Sequence, residues 1–143
     1  MNLILDTSVW VSHLRHDALA PVLSKIRDRY LLWFTSVTAA ELLAGCRSKT
    51  ERRVVSPLLK PFEHRTLTPG HADYVRAATA LSRLRESARS LSNPGAALLD
   101  GLQAAVAGRI GALIVTENLR DFHALHAHIP VRVASLSEFQ GRG

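Results

Sequence analysis

A chain of 143 residues, 47% of them apolar, is long enough for one domain with a single stable core and too apolar for a disordered protein. No apolar run reaches the roughly 20 residues of a membrane-spanning helix, no basic region plus cleavage site opens the chain, and the lone Cys46 excludes internal disulfides and cysteine zinc sites; a cytoplasmic protein without membrane contact is expected. Eighteen Lys and Arg oppose twelve Asp and Glu for a formal charge of +6, and fifteen of the eighteen are arginines, whose planar fork matches phosphate; nucleic-acid binding and an ordinary basic surface fit that balance equally.

Residues 2–6 read as a short apolar strand that ends in the carboxylate of Asp6. Thr7 and Ser8 behind it can accept hydrogen bonds from the first N–H groups of a helix running to Arg15. A second helix is predicted over 20–29, where Val22, Leu23 and Ile26 form one stripe, and a second strand over Leu31–Thr35. Ser36 or Thr38 can cap a helix to about Cys46, with Gly45 near its end. A basic segment follows (Arg47, Lys49, Arg52, Arg53) and leads into 54–59, where Pro57 and Pro61 limit any helix.

A short third strand is predicted over 64–67, then the turn pair Pro69-Gly70, a helix over 72–88 and a polar loop over 90–95. Residues 96–109 form a helix that is apolar almost all round, ended by Gly111, and 112–115 is a buried strand. A short helix over 118–126 and a last strand over 131–133 complete the pattern; nothing is assigned beyond Ser135. Strands alternating with helices predict one domain over 1–143, a three-layer α/β/α sandwich with a central parallel sheet of four to five strands.

Three acids lack a charged neighbour in sequence. Asp6 is the only Asp, Glu, Lys or Arg before Arg15; Glu41 is the only one between Arg29 and Arg47; Asp100 is the only one between Arg89 and Arg109. Glu41 and Asp100 lie in helices that otherwise look buried, so none of the three pairs locally as a surface salt bridge. A buried carboxylate is costly unless a cation or hydrogen-bond donors meet it. If the three converge, their repulsion must be relieved by proton uptake or by a divalent cation. A fourth candidate lies in Thr116-Glu117-Asn118-Leu119-Arg120-Asp121-Phe122, after the buried strand; of its two acids Asp121 is chosen because it opens a helical turn beside Phe122.

Asp6-Thr7-Ser8 after an apolar strand, Thr38-x-x-Glu41-Leu-x-x-Gly45, Asp100 in an apolar helix and Thr116-x-Asn118-x-x-Asp121-Phe122 together resemble the PIN-domain nucleases, and among them the VapC toxins of bacterial toxin–antitoxin pairs. The resemblance runs from the first strand to the last. It implies a parallel α/β/α fold and Mg2+- or Mn2+-dependent endonucleolytic cleavage of RNA. By motif position, Asp6, Glu41, Asp100 and Asp121 are the acidic cluster and metal ligands, with Thr7, Ser8 and Asn118 as supporting polar groups. Asp6 and Asp100 are expected to be the principal ligands, with Glu41 and Asp121 completing the site directly or through water and one of them orienting the attacking water. Glu117 departs from the pattern, in a slot often basic or neutral in similar sequences. A cognate antitoxin and a homodimer are the implied partners, and Arg47, Lys49, Arg52 and Arg53 are candidate RNA contacts.

Other chemistries have less support. Gly45 to Thr50 lacks the Gly before Lys49 and the leading strand of a phosphate loop, and there is neither a dinucleotide fingerprint nor a serine-hydrolase elbow. His123, His126 and His128 fit a His-rich helix end better than a metal site, and Trp10 and Trp33 fit a core or an interface better than base-stacking platforms. A phosphorylated receiver domain needs a Lys at a late strand end, which none of Lys25, Lys49 and Lys60 supplies. An inactive PIN-like binding module and a housekeeping RNA-processing nuclease are the alternatives to a toxin.

Overall fold

Successive side chains of a strand point to opposite faces, and strand β1 (Asn2–Leu5) divides accordingly. Leu3 and Leu5 join one hydrophobic core and Ile4 another. The same division holds in β2 (Leu31–Thr35), where Leu32 and Phe34 face the first core and Trp33 the second, and in β4 (Leu113–Thr116), where Leu113 and Val115 oppose Ile114. A sheet apolar on both faces must be covered on both, which makes three layers. In the computed structural model residues 1–87 and 93–141 are described. The expected helix end at Ala88 and the first part of the predicted loop, 90–92, lie outside them.

The sheet has five parallel strands in the order β3-β2-β1-β4-β5, with β3 at Thr66–Leu67 and β5 at Arg132–Ser135. Helices α1 (Thr7–His16), α2 (Leu23–Arg29), α3 (Ser36–Ala44), α4 (Lys49–Leu59) and α8 (Leu136–Gly141) carry Val9, Trp10, Ile26, Leu42, Val55 and Phe139 of the first core. Helices α5 (His71–Glu86), α6 (Pro94–Ile110) and α7 (Leu119–His126) carry Leu84, Ala104, Phe122 and Leu125 of the second. The chain moves outward from β1 through β2 to β3, then crosses back to β4 on the other side of β1. Connections leave β1 and β4 in opposite directions, so a crevice opens at their carboxyl ends, where such sheets bind ligands.

Several local expectations are corrected. Pro21 disfavours a helical Ala20, so turns occupy 18–22 and α2 begins at Leu23 rather than at residue 20. The cap of α3 is Thr35, whose Oγ1 accepts from the Thr38 N–H at 3.1 Å, and neither Ser36 nor Thr38. Pro57 lies inside α4 instead of limiting it. An interior proline costs about 3 kcal/mol, but Val55 is buried and Leu58 and Leu59 pack on the same core, each contributing roughly 1–3 kcal/mol. Burial wins. Pro61 then sits in the first turn of a 3-10 helix (Lys60–Arg65) that takes up half of the predicted third strand, leaving β3 two residues.

The tail beyond Ser135 is helical, not empty. Ser135 Oγ accepts from the Glu138 N–H at 3.1 Å, and the Ser135 N–H donates back to Glu138 Oε2 at 2.9 Å. That Ser-x-x-Glu reciprocity is a helix-start signal that was present in the sequence.

Candidate active site

Asp6 stands at the crevice between β1 and β4. Its N–H donates to Val115 O at 2.9 Å, which ties the end of β1 to its neighbour, and its own C=O accepts the first N–H groups of α1. The side chain does not cap that helix. Only 4% exposed, it is met by three donors: Gln103 Nε2 on Oδ1 at 2.6 Å, and Ser8 Oγ and Thr116 Oγ1 on Oδ2, each at 2.9 Å. Those donors satisfy a buried carboxylate in place. Ser8 and Thr116 are held in turn, since their hydroxyl oxygens accept from the Glu117 N–H at 3.1 Å and the Asn118 N–H at 2.9 Å.

The other three acids arrive from different elements. Glu41 is on the last turns of α3, where Thr7 Oγ1 lies 2.9 Å from its Oε1 and 3.0 Å from Thr38 Oγ1, sharing one hydrogen between them. Thr7 and Ser8 therefore serve carboxylates and not, as expected, the N-terminus of α1. Asp100 is half-buried in the second turn of α6, and Asp121 is buried in the first turn of α7. Asn118 occupies the position before α7 without a side-chain cap bond and bridges the last two, its Nδ2 donating to Asp121 Oδ2 at 3.0 Å and to Asp100 Oδ2 at 3.4 Å. Glu117 turns to α1, where Ser12 Oγ donates to its Oε2 at 2.7 Å.

The electrostatics follow from this meeting of like charges. Burial pushes the Asp100 carboxyl up to about 8, and the charges of Asp6, Asp121 and Glu41 add to the shift in that order. Burial also raises Glu41; the Thr7 hydrogen bond opposes that shift and the charge of Asp6 adds to it. Four carboxylates within each other's field form a site that gains by taking up a proton or a cation. All its donors are oxygens, which suits a hard divalent ion that keeps several of its waters. Among the described residues no three His, Cys, Asp or Glu side chains are gathered as a preformed coordination shell. The donor chemistry fits such an ion, which is held through some of its own waters as readily as by direct ligands.

Two grooves meet at Glu41, one on each side of α3. The first, about 480 Å³, runs between α1, α3 and α4 and is lined by Val11, Leu14, Leu42, Val54 and Val55, with Arg15 and Arg47 among them. The second, about 310 Å³, lies between α3, α5 and α6 beside Tyr74 and Pro69. Of the four basic residues singled out from the sequence, Arg47 lines a groove; Lys49, Arg52 and Arg53 are exposed on the opening turns of α4 outside it. Arg15 escaped attention because nothing in α1 marks it. Neither Gln103 nor Thr35 is among the expected site residues, and Thr116 opens one of the motifs without a role of its own. Gln103 carried a readable signal, as the one polar side chain in the apolar run 101–107 and three residues beyond Asp100.

A five-stranded parallel sheet with carboxylates gathered at its switch point is an open α/β fold whose ligand crevice is acidic. The PIN domain family model matches residues 3–126, and the chain belongs to that family. No curated protein matches. Among solved structures, VapBC-1 from nontypeable Haemophilus influenzae is similar with a TM-score of 0.70 at 17% identity, over 96% of this chain and 99% of that one. FitAcB from Neisseria gonorrhoeae is similar at 0.69 and 22% identity, over 96% and 99%. VapBC-5 from Mycobacterium tuberculosis, of the VapBC family of toxin–antitoxin systems, is similar at 0.58 and 27% identity, over 94% and 96%.

Proposed function

We propose that this chain is a divalent-metal-dependent endoribonuclease, the toxin of a VapBC-type pair, acting in the cytoplasm. The observation that carries the reading is the convergence of Asp6, Glu41, Asp100 and Asp121 on one crevice, with Asp100 feeling the charge of the other three. Membership in the PIN family and the likeness to VapBC and FitAB complexes support it. Asp6 and Asp100 would hold Mg2+ or Mn2+, and Glu41 and Asp121 would complete the site directly or through water. When bound, such an ion polarises the phosphodiester and offsets charge on the leaving oxygen.

The protein's own groups do the remaining work. Glu41 has Oε1 engaged by Thr7, and its burial makes it more basic than an ordinary glutamate, which suits a group that takes the proton of an attacking water. Asn118 donates to both Asp100 and Asp121 and so holds the two carboxylates on one amide nitrogen. Arg15 and Arg47 line the groove that ends at Glu41 and are suited to RNA phosphates. The same groove, apolar along most of its wall, suits the tail of a cognate antitoxin, and two copies of the chain would form a homodimer.

The test is cleavage of a structured RNA by purified protein with and without Mg2+ or Mn2+. Asp6→Asn should lower the divalent-dependent rate at least about a hundredfold while circular dichroism and melting stay near those of the wild type. Full activity in that variant, or equal cleavage in chelator, overturns the assignment.

A further inference from the structure

The residue that joins the halves of the crevice is not a carboxylate. Gln103 is fully buried on α6, and both polar atoms of its amide are engaged: Nε2 donates to Asp6 Oδ1 at 2.6 Å, while Oε1 accepts from the hydroxyls of Thr35 at 3.1 Å and Thr38 at 3.3 Å. Two hydroxyl donors on one side and a carboxylate on the other leave the amide one sensible orientation, because a flip would set oxygen against oxygen. Thr38 Oγ1 also lies 3.0 Å from Thr7 Oγ1, which reaches Glu41. A continuous line of side chains thus connects Glu41 to Asp6 through Thr7, Thr38 and Gln103.

An amide here is not needed for packing. Leu102, Ala104, Ala105, Val106 and Ala107 around it in sequence are all buried and apolar, and a buried amide costs about 1–3 kcal/mol wherever its partners are missing. Ser8 and Thr116 restrain Asp6 only at Oδ2; without Gln103 the other oxygen loses its donor and the carboxylate is free to turn about that anchor.

We propose that Gln103 is a positioning residue that holds Asp6, and through Thr38 and Thr7 also Glu41, in the orientation that receives a divalent cation. The inference rests on the nuclease reading above. Gln103→Met keeps the length of the side chain and removes the donor. Mn2+ binding to the purified protein, read by titration calorimetry, should weaken about 10- to 100-fold, the usual loss when a group that orients a ligand is removed. RNA cleavage at limiting Mn2+ should fall in step and return to within about threefold of wild type at saturating Mn2+, with KM for RNA unchanged. A packing lesion would lower the melting temperature without that rescue.

Gln103→Asn, which keeps an amide in the slot but withdraws it from Asp6, is the second variant should the first fail to fold, with the same expectation. A folded variant whose Mn2+ affinity stays within about twofold of wild type, or a loss of cleavage that excess Mn2+ does not restore, overturns the positioning role alone. A wild-type protein that binds no Mn2+ overturns the nuclease reading together with it.

Discussion

At Asp100 burial and neighbouring charge act on one side chain in the same direction. Its carboxyl stands at about 8 in the folded protein against an ordinary 3.8, raised first by burial and then by Asp6, Asp121 and Glu41. A carboxyl raised on folding stabilises the fold while it stays protonated, so its contribution is complete below pH 4 and is lost as pH rises through 8. Glu41 is shifted in the same direction and adds to the trend. Metal-free protein should therefore melt at progressively lower temperature between pH 4 and pH 8. Asp100→Asn should flatten that profile and stabilise the metal-free fold at pH 8 by about 1–3 kcal/mol, while abolishing divalent-dependent cleavage. Melting curves in chelator across the pH range check the first outcome. A profile for Asp100→Asn as steep as that of the wild type would show that the repulsion lies elsewhere.

Helices α5 and α6 hold Asp100 in place by close approach. A Cβ built on Gly101 would come within 3.1 Å of Ala77 Cβ and 3.6 Å of Leu81 Cδ1, so the neighbour of the carboxylate can carry no branched side chain without pushing the helices apart. Gly101→Val should destabilise the protein by about 1–3 kcal/mol and also lower cleavage, because the same displacement moves Asp100 away from Asp6. Ser135→Ala, remote from the crevice, removes the reciprocal cap of α8 and should cost about 1 kcal/mol in chemical denaturation with cleavage unchanged. Comparing the two variants separates an element that shapes the site from one that only closes the core.

At the scale of the molecule, charge is distributed between two tasks. The crevice gathers negative side chains, while the formal balance of the whole chain is +6. Mn2+ at about 100 times its Kd should stabilise the protein by roughly 2.7 kcal/mol, an effect that Asp6→Asn should remove. On the proposed reading the groove arginines meet the RNA backbone, so Arg47→Ala and Arg15→Ala should each raise KM with kcat little changed. Each should also reduce the salt slope of single-stranded RNA binding by about 0.7. Lys49, Arg52 and Arg53 lie outside that groove and should contribute less, which the same salt titration measures.

Strand and helix alternation, the apolar runs and the isolation of Asp6, Glu41 and Asp100 from other charges were all legible in the chain itself, because period and burial are local properties. The Ser-x-x-Glu start of α8 and the lone amide at Gln103 are equally local signals. What only the folded molecule decided is how these pieces meet. The strand order reverses between β1 and β4, and that reversal brings residue 6 against residues 103 and 116 and turns Thr7 toward Glu41 instead of into a helix cap. The continuation of α4 through Pro57 belongs to the same class, since burial of Val55 against a distant core outweighs a local rule. Contacts across about a hundred residues depend on crossover topology and on which of two buried faces each helix covers, and neither is written in the neighbourhood of any one residue.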